Sequence, residues 1–257
     1  MPPGTHLPIQ PVRFLPGASP PPPIHPTGVQ ILWLDVQDFD PTAECLRSLS
    51  SDERARADRF VHDAARTEFI LGRMLLRCVL GAVQGCLPGE VSIEISSSGR
   101  PFSRSVKGLN FNLSHASGRV VLALGWEVRV GVDLESWTRE IADWRALAPI
   151  VLAPSEVAEL KALDELRSRR GFLRAWVAKE ALLKALGTGL QSDPRLCLLS
   201  GFSLENTQPR ILSLPGDELP EDWEIGFWEM ESSHLGAIAH GRIQDVGETD
   251  PAGARIG

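Results

Sequence analysis

Residues 128–135, VRVGVDLE, alternate strictly between two kinds of side chain. The even positions are apolar, and the odd positions are Arg129, Gly131, Asp133 and Glu135. A period of two predicts a half-buried β-strand and excludes an amphipathic helix, whose period is 3.6 residues. Asp133 and Glu135 therefore share one face of the strand, with Cα atoms about 7 Å apart.

Two carboxylates on one strand face have two explanations. An open antiparallel sheet displays charged residues at alternate positions on its solvated face. Alternatively, the two groups bind a hard cation such as Mg²⁺, which takes oxygen ligands from one or two carboxylates and from substrate phosphates. The strand alone does not decide between them.

The chain alternates between strand-like and helix-like segments, and this predicts an α+β fold of two similar-sized halves. The first half spans 30–127 and the second 128–243. Residues 1–29, which hold ten of the 20 prolines, are expected to form a tail outside the fold, and 244–257 a second, flexible tail. The predicted strands are 31–36, 91–96, 108–115, 120–125, 128–135, 223–230 and 234–240, the last two forming a hairpin, and the predicted helices lie within 50–83, 139–150, 154–166 and 169–190. The first helical segment has an N-cap at Ser50 or Ser51, with Glu53 placed for a capping box.

Residues 108–115 alternate, with Leu109, Phe111 and Leu113 on one face and Asn110, Asn112 and Ser114 on the other.

The short connections around residues 108–135 suggest a register for three strands. If 108–115, 120–125 and 128–135 form consecutive tight hairpins, position 115 lies opposite about 120, and 120 opposite about 133. Ser114 and His115 then lie at the same sheet end as Asp133, about 10 Å away across two strand spacings. A slip of one residue would reverse the faces.

The predicted helix at 169–190 carries Trp176, Glu180 and Lys184 along one face, and we place Lys179 beside them. An exposed Glu–Lys pair explains the pattern as simply as a site does. However, the chain has only four lysines against 22 arginines. A compact ammonium on a flexible stem suits contact with a phosphate.

Composition excludes some functions. A net charge of −7 argues against nonspecific nucleic-acid binding. No apolar run is long enough for a membrane span, and the N-terminus lacks the apolar core of a signal peptide. Four cysteines without metal-site spacing are expected to be reduced thiols of a cytoplasmic protein.

Four motifs occur in order and at suitable spacing: SSGRPF (97–102), FNLSHASG (111–118), GVDLE (131–135) and WVAKEALLKALGTGL (176–190). Together they resemble the 4′-phosphopantetheinyl transferases, specifically the long, surfactin-synthetase-activating class. The likeness spans roughly 45–195 and continues more weakly to about 240. It implies a monomer whose two halves are related by pseudo-twofold symmetry, each with a small, mostly antiparallel sheet packed against a long helix.

The resemblance implies transfer of the phosphopantetheine arm of coenzyme A to a serine of an apo acyl or peptidyl carrier protein. Asp133, Glu135 and Glu180 would bind Mg²⁺ against the pyrophosphate. Asp133, Glu180 and Lys184 would be the catalytic residues, with Glu180 acting as metal ligand, as base for the serine, or as both. The coenzyme A contacts implied are Arg56, Arg100, Ser114, His115, Lys179 and Lys184, with Arg54 and Arg73 as further basic candidates.

Two other functions remain open at this point. A glycosidase needs two carboxyl groups about 5–9.5 Å apart, which Asp133 and Glu135 could supply. It leaves the FNLSH and WVAKEALLKA segments unexplained. A binding scaffold for coenzyme A or a carrier protein, without catalysis, would not need the full set of Asp133, Glu135 and Glu180.

Overall fold

The computed structural model describes residues 10–17, 28–40, 43–96, 99–138, 143–188, 192–203, 208–231 and 233–243. Within these ranges the fold is α+β, with helices packed on small, mostly antiparallel sheets, and this prediction is confirmed. The pseudo-twofold relation of the halves and the domain boundaries stay predictions. None of the helices in the described part of the chain could span a lipid bilayer.

The first half contains a four-stranded sheet in the order β1-β2-β6-β5. Its strands are β1 (Val12–Arg13), β2 (Val29–Asp35), β5 (Leu109–Ala116) and β6 (Arg119–Trp126). The helices are α1 (Ala43–Ser48), α2 (Ser51–Ala57) and α3 (Asp63–Gln84), and a small hairpin pairs β3 (Glu94–Ile95) with β4 (Pro101–Phe102). Only two residues of the predicted strand 91–96 are therefore extended and paired.

The long helix α3 covers one face of this sheet. Its buried stripe includes Ile70, Leu71 and Leu75, and it packs against Leu109 and Phe111 of β5. The preceding helix α2 begins with a reciprocal cap. Ser50 Oγ accepts from the Glu53 amide at 3.2 Å and Glu53 Oε2 accepts from the Ser50 amide at 2.9 Å. The predicted capping box is confirmed.

Part of the predicted N-terminal tail belongs to the fold. Val12 and Arg13 pair with Leu32 and Trp33 in a parallel ladder, and Phe14 is buried in the core of the first half. Proline excludes helix from this segment, but it does not exclude a two-residue edge strand. The rest of 1–29 outside the described ranges, and residues 244–257, stay predictions.

The second half is built on a three-stranded antiparallel sheet in the order β10-β11-β7. These strands are β7 (Val128–Ser136), β10 (Trp223–Met230) and β11 (His234–Arg242), so the predicted late hairpin is confirmed. The helices are α4 (Trp144–Val151), α5 (Pro154–Lys161) and α6 (Glu165–Leu186). A second small hairpin joins β8 (Leu198–Ser200) to β9 (Arg210–Ser213).

The predicted hairpin between residues 120–125 and 128–135 is wrong. β6 pairs with β2 and β5, whereas β7 pairs with β11 in the other sheet. The chain changes sheet at Glu127, whose φ of 55° is in the left-handed region. Both strands are almost wholly apolar on one face, and a shared apolar layer between the two sheets buries those faces: Ile31, Trp33, Val121, Ala123, Val130, Val132, Leu134, Trp228, Met230 and Ile238.

Helix α6 packs directly on β7 at Gly131. A Cβ added at Gly131 would overlap the Ala181 carbonyl oxygen and the Ala185 amide. Helix and strand backbones can approach this closely only where the strand has no side chain. The glycine of the GVDLE motif therefore sets the distance between the two elements.

We expect Gly131→Ala to destabilise the protein by about 1–3 kcal/mol, because overpacking forces α6 away from β7. The matched control is Gly72→Ala in α3, where the nearest atom to the new methyl lies 3.4 Å away, an ordinary contact. Urea unfolding of both variants measures the effect. Equal stability of the two variants would contradict the proposed close packing.

Candidate functional site

A buried carboxylate, Asp133, lies where β5, β7 and α6 meet. Its Oδ1 accepts from Ser114 Oγ at 2.9 Å and from Lys184 Nζ at 2.6 Å. Lys184 Nζ also contacts Ser114 Oγ at 3.2 Å and the Val132 carbonyl at 3.1 Å. Three of the predicted site residues therefore form one network, although one comes from the first half and two from the second.

Side chains join the two sheets at this point. Asn112 Oδ1 accepts from the Val132 amide at 2.9 Å, so an amide side chain takes the place that a main-chain partner would have in a ladder. Asn112 and Ser114 share one face of β5, as the alternation predicted. That face lies against β7, which is why Ser114 reaches Asp133 although the predicted hairpin does not exist.

Glu180 lies one helical turn before Lys184 on α6. Burial raises the pKa of Glu180, the Asp133 carboxylate raises it further, and the Lys184 ammonium partly offsets both effects. Glu180 and Lys184 are four residues apart on α6, so they share a helix face, and Lys184 contacts Asp133. Glu135 is buried and, by the two-residue period of β7, shares the strand face of Asp133.

The acidic groups suit a hard cation only in part. Asp133 Oδ2 is buried and has no hydrogen-bond partner within the described residues, so it offers an oxygen for a further ligand. Within the same residues, however, no three acidic, histidine or cysteine side chains are grouped closely enough to hold an ion. Mg²⁺ commonly takes one or two carboxylates together with substrate phosphates, so this donor set fits a site that the substrate completes.

Lys179 does not lie at this site, which corrects one predicted contact. Its side chain is buried among α4, α5 and α6, where Nζ pairs with Glu156 Oε2 at 2.6 Å. Nζ also donates to the Val151 and Pro194 carbonyls, each at 3.1 Å. Five residues separate Lys179 from Lys184, and 100° per residue places them on different faces of the helix. Burial lowers the pKa of Lys179, against the opposing effect of Glu156.

Arg100 joins the two halves instead of presenting its terminal nitrogens to an anion. Nη1 donates to the Lys184 carbonyl at 3.1 Å and the Ala185 carbonyl at 3.4 Å, and Nη2 donates to the Val130 carbonyl at 3.1 Å. Burial and then the nearby Arg129 charge lower the pKa of Arg100 to about 10. Its position suits a cation at a helix C-terminus, and the predicted contact with the nucleotide stays a prediction.

His115 is exposed on the opposite face of β5 from Ser114. Its Nδ1 lies 2.8 Å from Glu68 Oε2 on α3. Residue 115 pairs with 120, as predicted, so His115 is at the end of β5, next to the turn into β6. No local sequence pattern points to Glu68, because its partners lie 47 and 50 residues further along the chain.

Two arginine side chains lie over the ring of Phe69, the residue of α3 that follows Glu68. The Arg56 guanidinium lies 5.2 Å and the Arg73 guanidinium 5.6 Å from the ring centroid. Arg73 is buried, and its Nη1 has no hydrogen-bond partner among the residues that the structure describes. Burial lowers the pKa of Arg73. Arg54, by contrast, donates to the Leu49 carbonyl at 2.5 Å and so contributes to the end of α1.

Comparison with known proteins identifies the family. The family model described as 4′-phosphopantetheinyl transferase superfamily matches residues 129–239, and the one described as 4′-phosphopantetheinyl transferase, N-terminal, matches residues 37–126. These matches divide the chain near Glu127, where it passes from one sheet to the other.

Individual relatives agree with the family models. The 4′-phosphopantetheinyl transferase HetI of Nostoc sp. is 39% identical over 148 residues, which are 56% of this chain and 61% of the relative's length. The 4′-phosphopantetheinyl transferase psf-1 of Bacillus pumilus is 30% identical over 75% of this chain and 80% of its own. A 4′-phosphopantetheinyl transferase of Bacillus subtilis is 29% identical over 71% of this chain and 76% of its own.

The chain therefore belongs to the 4′-phosphopantetheinyl transferase superfamily, and its similarity to the Bacillus enzymes is consistent with the long class.

We expect Lys179→Met to lower the free energy of unfolding by about 3–5 kcal/mol, because it leaves Glu156 as an unpaired buried charge. Adding Glu156→Gln should recover part of that loss. Lys184→Met should lower the free energy of unfolding by less, because the Lys184 side chain is already a quarter exposed. Urea unfolding of the three variants measures this, and a larger loss for Lys184→Met would contradict the assignment of Lys179 as the structural lysine.

Proposed function

We propose that the chain transfers the 4′-phosphopantetheine group of coenzyme A to a serine of an apo carrier protein. The observation that carries this proposal is the network of Ser114, Asp133 and Lys184, in a chain of this family. The serine oxygen bonds to the β-phosphorus of coenzyme A, and the phosphorus–oxygen bond to the α-phosphate breaks. Adenosine 3′,5′-bisphosphate leaves, and the serine proton passes to a base.

Mg²⁺ would be held by Asp133, Glu135 and Glu180 together with pyrophosphate oxygens. When bound, the ion supplies positive charge against the oxygens on which negative charge increases during transfer. The buried Oδ2 of Asp133 supports this assignment, because it lacks a partner within the described residues. So does the unfavourable effect of Asp133 on ionised Glu180, since a cation between the two carboxylates would reverse it.

Lys184 is assigned to the transferring and leaving phosphates. Its Nζ is partly exposed, and its flexible stem lets the ammonium turn from Asp133 towards a phosphate oxygen without moving α6. A positive charge placed where negative charge increases during the reaction stabilises the transition state more than the ground state. Lys184 therefore acts chiefly on the rate of the chemical step.

The basic group at α3 is assigned to the nucleotide end of coenzyme A. Arg56, Arg73 and Phe69 offer two guanidinium groups beside an aromatic ring, and His115 lies at the adjacent end of β5. Guanidinium groups bind phosphates through paired N–H donors. Ser114, whose hydroxyl donates to Asp133, is assigned to the pyrophosphate.

The carrier protein and the monomeric state complete the proposal. Both halves of one chain supply the site, so no second copy is needed to assemble it. Fatty-acid, polyketide and peptide synthesis all use carriers of this kind, and the carrier assay decides which is modified. A scaffold without catalysis and a glycosidase are the alternatives that the same assay tests.

Incubation of the protein with coenzyme A, Mg²⁺ and a panel of apo carrier proteins should raise a carrier's mass by one phosphopantetheine group. Intact-protein mass spectrometry measures the change, and a carrier whose acceptor serine is replaced by alanine is the control. The proposal fails if no carrier gains mass. Binding of coenzyme A without transfer would favour the scaffold, and release of sugar from a glycoside would favour the glycosidase.

Asp133→Asn should lower the transfer rate by at least about 100-fold. The substitution keeps the shape of the side chain but removes the negative charge proposed to hold Mg²⁺ against the pyrophosphate. Asp193→Asn, at an exposed carboxylate that pairs with Arg195, is the matched control and should transfer at the wild-type rate. Steady-state kinetics at saturating Mg²⁺ measure both. A fully active Asp133→Asn enzyme would remove Asp133 from the site.

Glu180→Gln separates the two roles open to this residue. If Glu180 is a metal ligand, its replacement by glutamine should raise the Mg²⁺ concentration needed for the half-maximal rate. As the base for the serine, its loss should lower kcat and leave that concentration unchanged. A Mg²⁺ titration of the variant decides between them, and a variant unchanged in both values would exclude Glu180 from catalysis.

A further inference from the structure

Glu68 of α3 is a half-buried carboxylate that the proposed reaction does not use. Both of its oxygens are engaged at the turn between β5 and β6. Oε1 accepts from the Gly118 amide at 2.8 Å, and Oε2 lies 2.8 Å from His115 Nδ1. The Glu68 side chain is 12% exposed, whereas that of His115 is 49% exposed. Glu68 thus lies behind an imidazole that faces solvent.

The chemistry of this contact fixes the state of the histidine ring. An ionised carboxylate can only accept hydrogen bonds, so Nδ1 must carry the proton. Burial alone would raise the pKa of Glu68, but the hydrogen bonds from His115 and the Gly118 amide lower it overall. The carboxyl is therefore ionised near neutral pH. The other ring nitrogen, Nε2, remains for a ligand, and it can donate to an anionic ligand only when it also carries a proton.

The turn has other support, so the Glu68 contact is not its only link to the fold. Ser117 and Gly118 have φ values of 46° and 83° at the centre of a tight β5–β6 connection. The Val36 amide donates to the Gly118 carbonyl at 2.8 Å, and His234 Nε2 lies 3.1 Å from the Ala116 carbonyl. Replacing Glu68 should therefore change the orientation of His115 more than the path of the chain.

The neighbouring residue of α3 indicates what the oriented ring would meet. Phe69 lies beneath the guanidinium groups of Arg56 and Arg73, so one short segment of α3 supports three basic groups. Two guanidinium groups and an imidazole that contact consecutive residues of one helix suit an anion such as a phosphate monoester. Glu68 does not bind that anion itself, because an ionised carboxylate has no hydrogen-bond donor and both its oxygens are already bonded.

We propose that Glu68 is a positioning residue: its carboxylate accepts from His115 Nδ1–H and so turns Nε2 towards a phosphate of coenzyme A, to which Nε2 donates once it carries a proton as well. This inference rests on the proposed function. Glu68 itself touches neither the substrate nor the reacting atoms. Its loss should weaken coenzyme A binding and leave the chemical step and the affinity for the carrier protein unchanged.

The test compares Glu68→Gln, Glu68→Ala, His115→Ala and the double variant Glu68→Ala/His115→Ala. Each Glu68 variant should raise KM for coenzyme A about ten-fold, the lower end of the effect of removing a carboxylate behind a ligand histidine. The kcat value and KM for the carrier should stay at wild-type values. The double variant should be no worse than His115→Ala, because two residues that act as one unit are not additive.

Asp58→Asn is the matched control, since Asp58 is an exposed carboxylate at the end of α2 that pairs with Arg66 of α3, the helix that carries Glu68, at 3.1 Å. Ring ¹⁵N spectra supply a readout that a purely structural role would not move. His115 should be in the Nδ1–H form in the wild-type protein and change towards Nε2–H in Glu68→Ala. Glu68→Gln, which keeps an acceptor for the Gly118 amide, tests the inference if Glu68→Ala fails to fold.

Three results would overturn the inference: additive losses in the double variant, a lower kcat at unchanged KM, or an unchanged tautomer. These results can be told apart from a failure of the proposed function. If the wild-type protein modifies no carrier, calorimetric titration with coenzyme A and the ring spectra still test Glu68. Weaker coenzyme A binding in Glu68→Ala with the expected tautomer change would support the positioning role without transfer.

Discussion

The contact between β5 and β7 is the constraint on which the site depends. These strands belong to different sheets, and side chains make the polar contacts that join them. Asn112 Oδ1 accepts a hydrogen bond from the Val132 amide, and Ser114 and Lys184 donate to Asp133 Oδ1. Ser114, Asp133 and Lys184, which join the halves at this point, are also assigned to the proposed reaction, whereas Asn112 only joins the halves. A main-chain ladder here would have left no room for a site.

Burial separates the two lysines of α6 into different roles. Lys179 is enclosed by the apolar core of the second half, where Glu156 and two carbonyls compensate for its lost hydration. Lys184 keeps contact with solvent at the junction of the halves. The same residue type is therefore a fixed structural ion at one position and an adjustable charge at the other. Scarcity of lysine in the chain did not by itself mark a phosphate site.

Local periodicity was enough to predict the faces of the site strands. The alternation of β5 and β7 correctly places Asn112 and Ser114 on one face and Asp133 and Glu135 on one face. It could not predict which strands pair, because the apolar faces of β6 and β7 fit two sheets facing each other as well as one hairpin. The prediction that Ser114 and Asp133 lie at one sheet end, about 10 Å apart across two strand spacings, thus depended on a hairpin that does not form, whereas the side chains are in contact at 2.9 Å.

Long-range contacts of single side chains were beyond the sequence. The motif matches predicted Arg100 as an anion contact, but its terminal nitrogens bond the last carbonyls of α6 and that of Val130, 84, 85 and 30 residues away. Glu68 was not predicted at all, since no local pattern connects it with the end of β5. The family resemblance identifies the kinds of residue at a site, whereas the packing of α3 and α6 decides which side chains can reach it.

The ion pair of Asp133 and Lys184 also constrains how the proposed site can work. Lys184 neutralises Asp133 while no substrate is bound, which lowers the cost of burying that carboxylate. If the lysine turns to a phosphate, Asp133 loses that partner and needs another cation at once. Substrate, lysine and metal ion must then bind as one arrangement, since each charge compensates for the displacement of another. A site of this kind needs no group of three acids preassembled around an ion, in agreement with the geometry of the described residues.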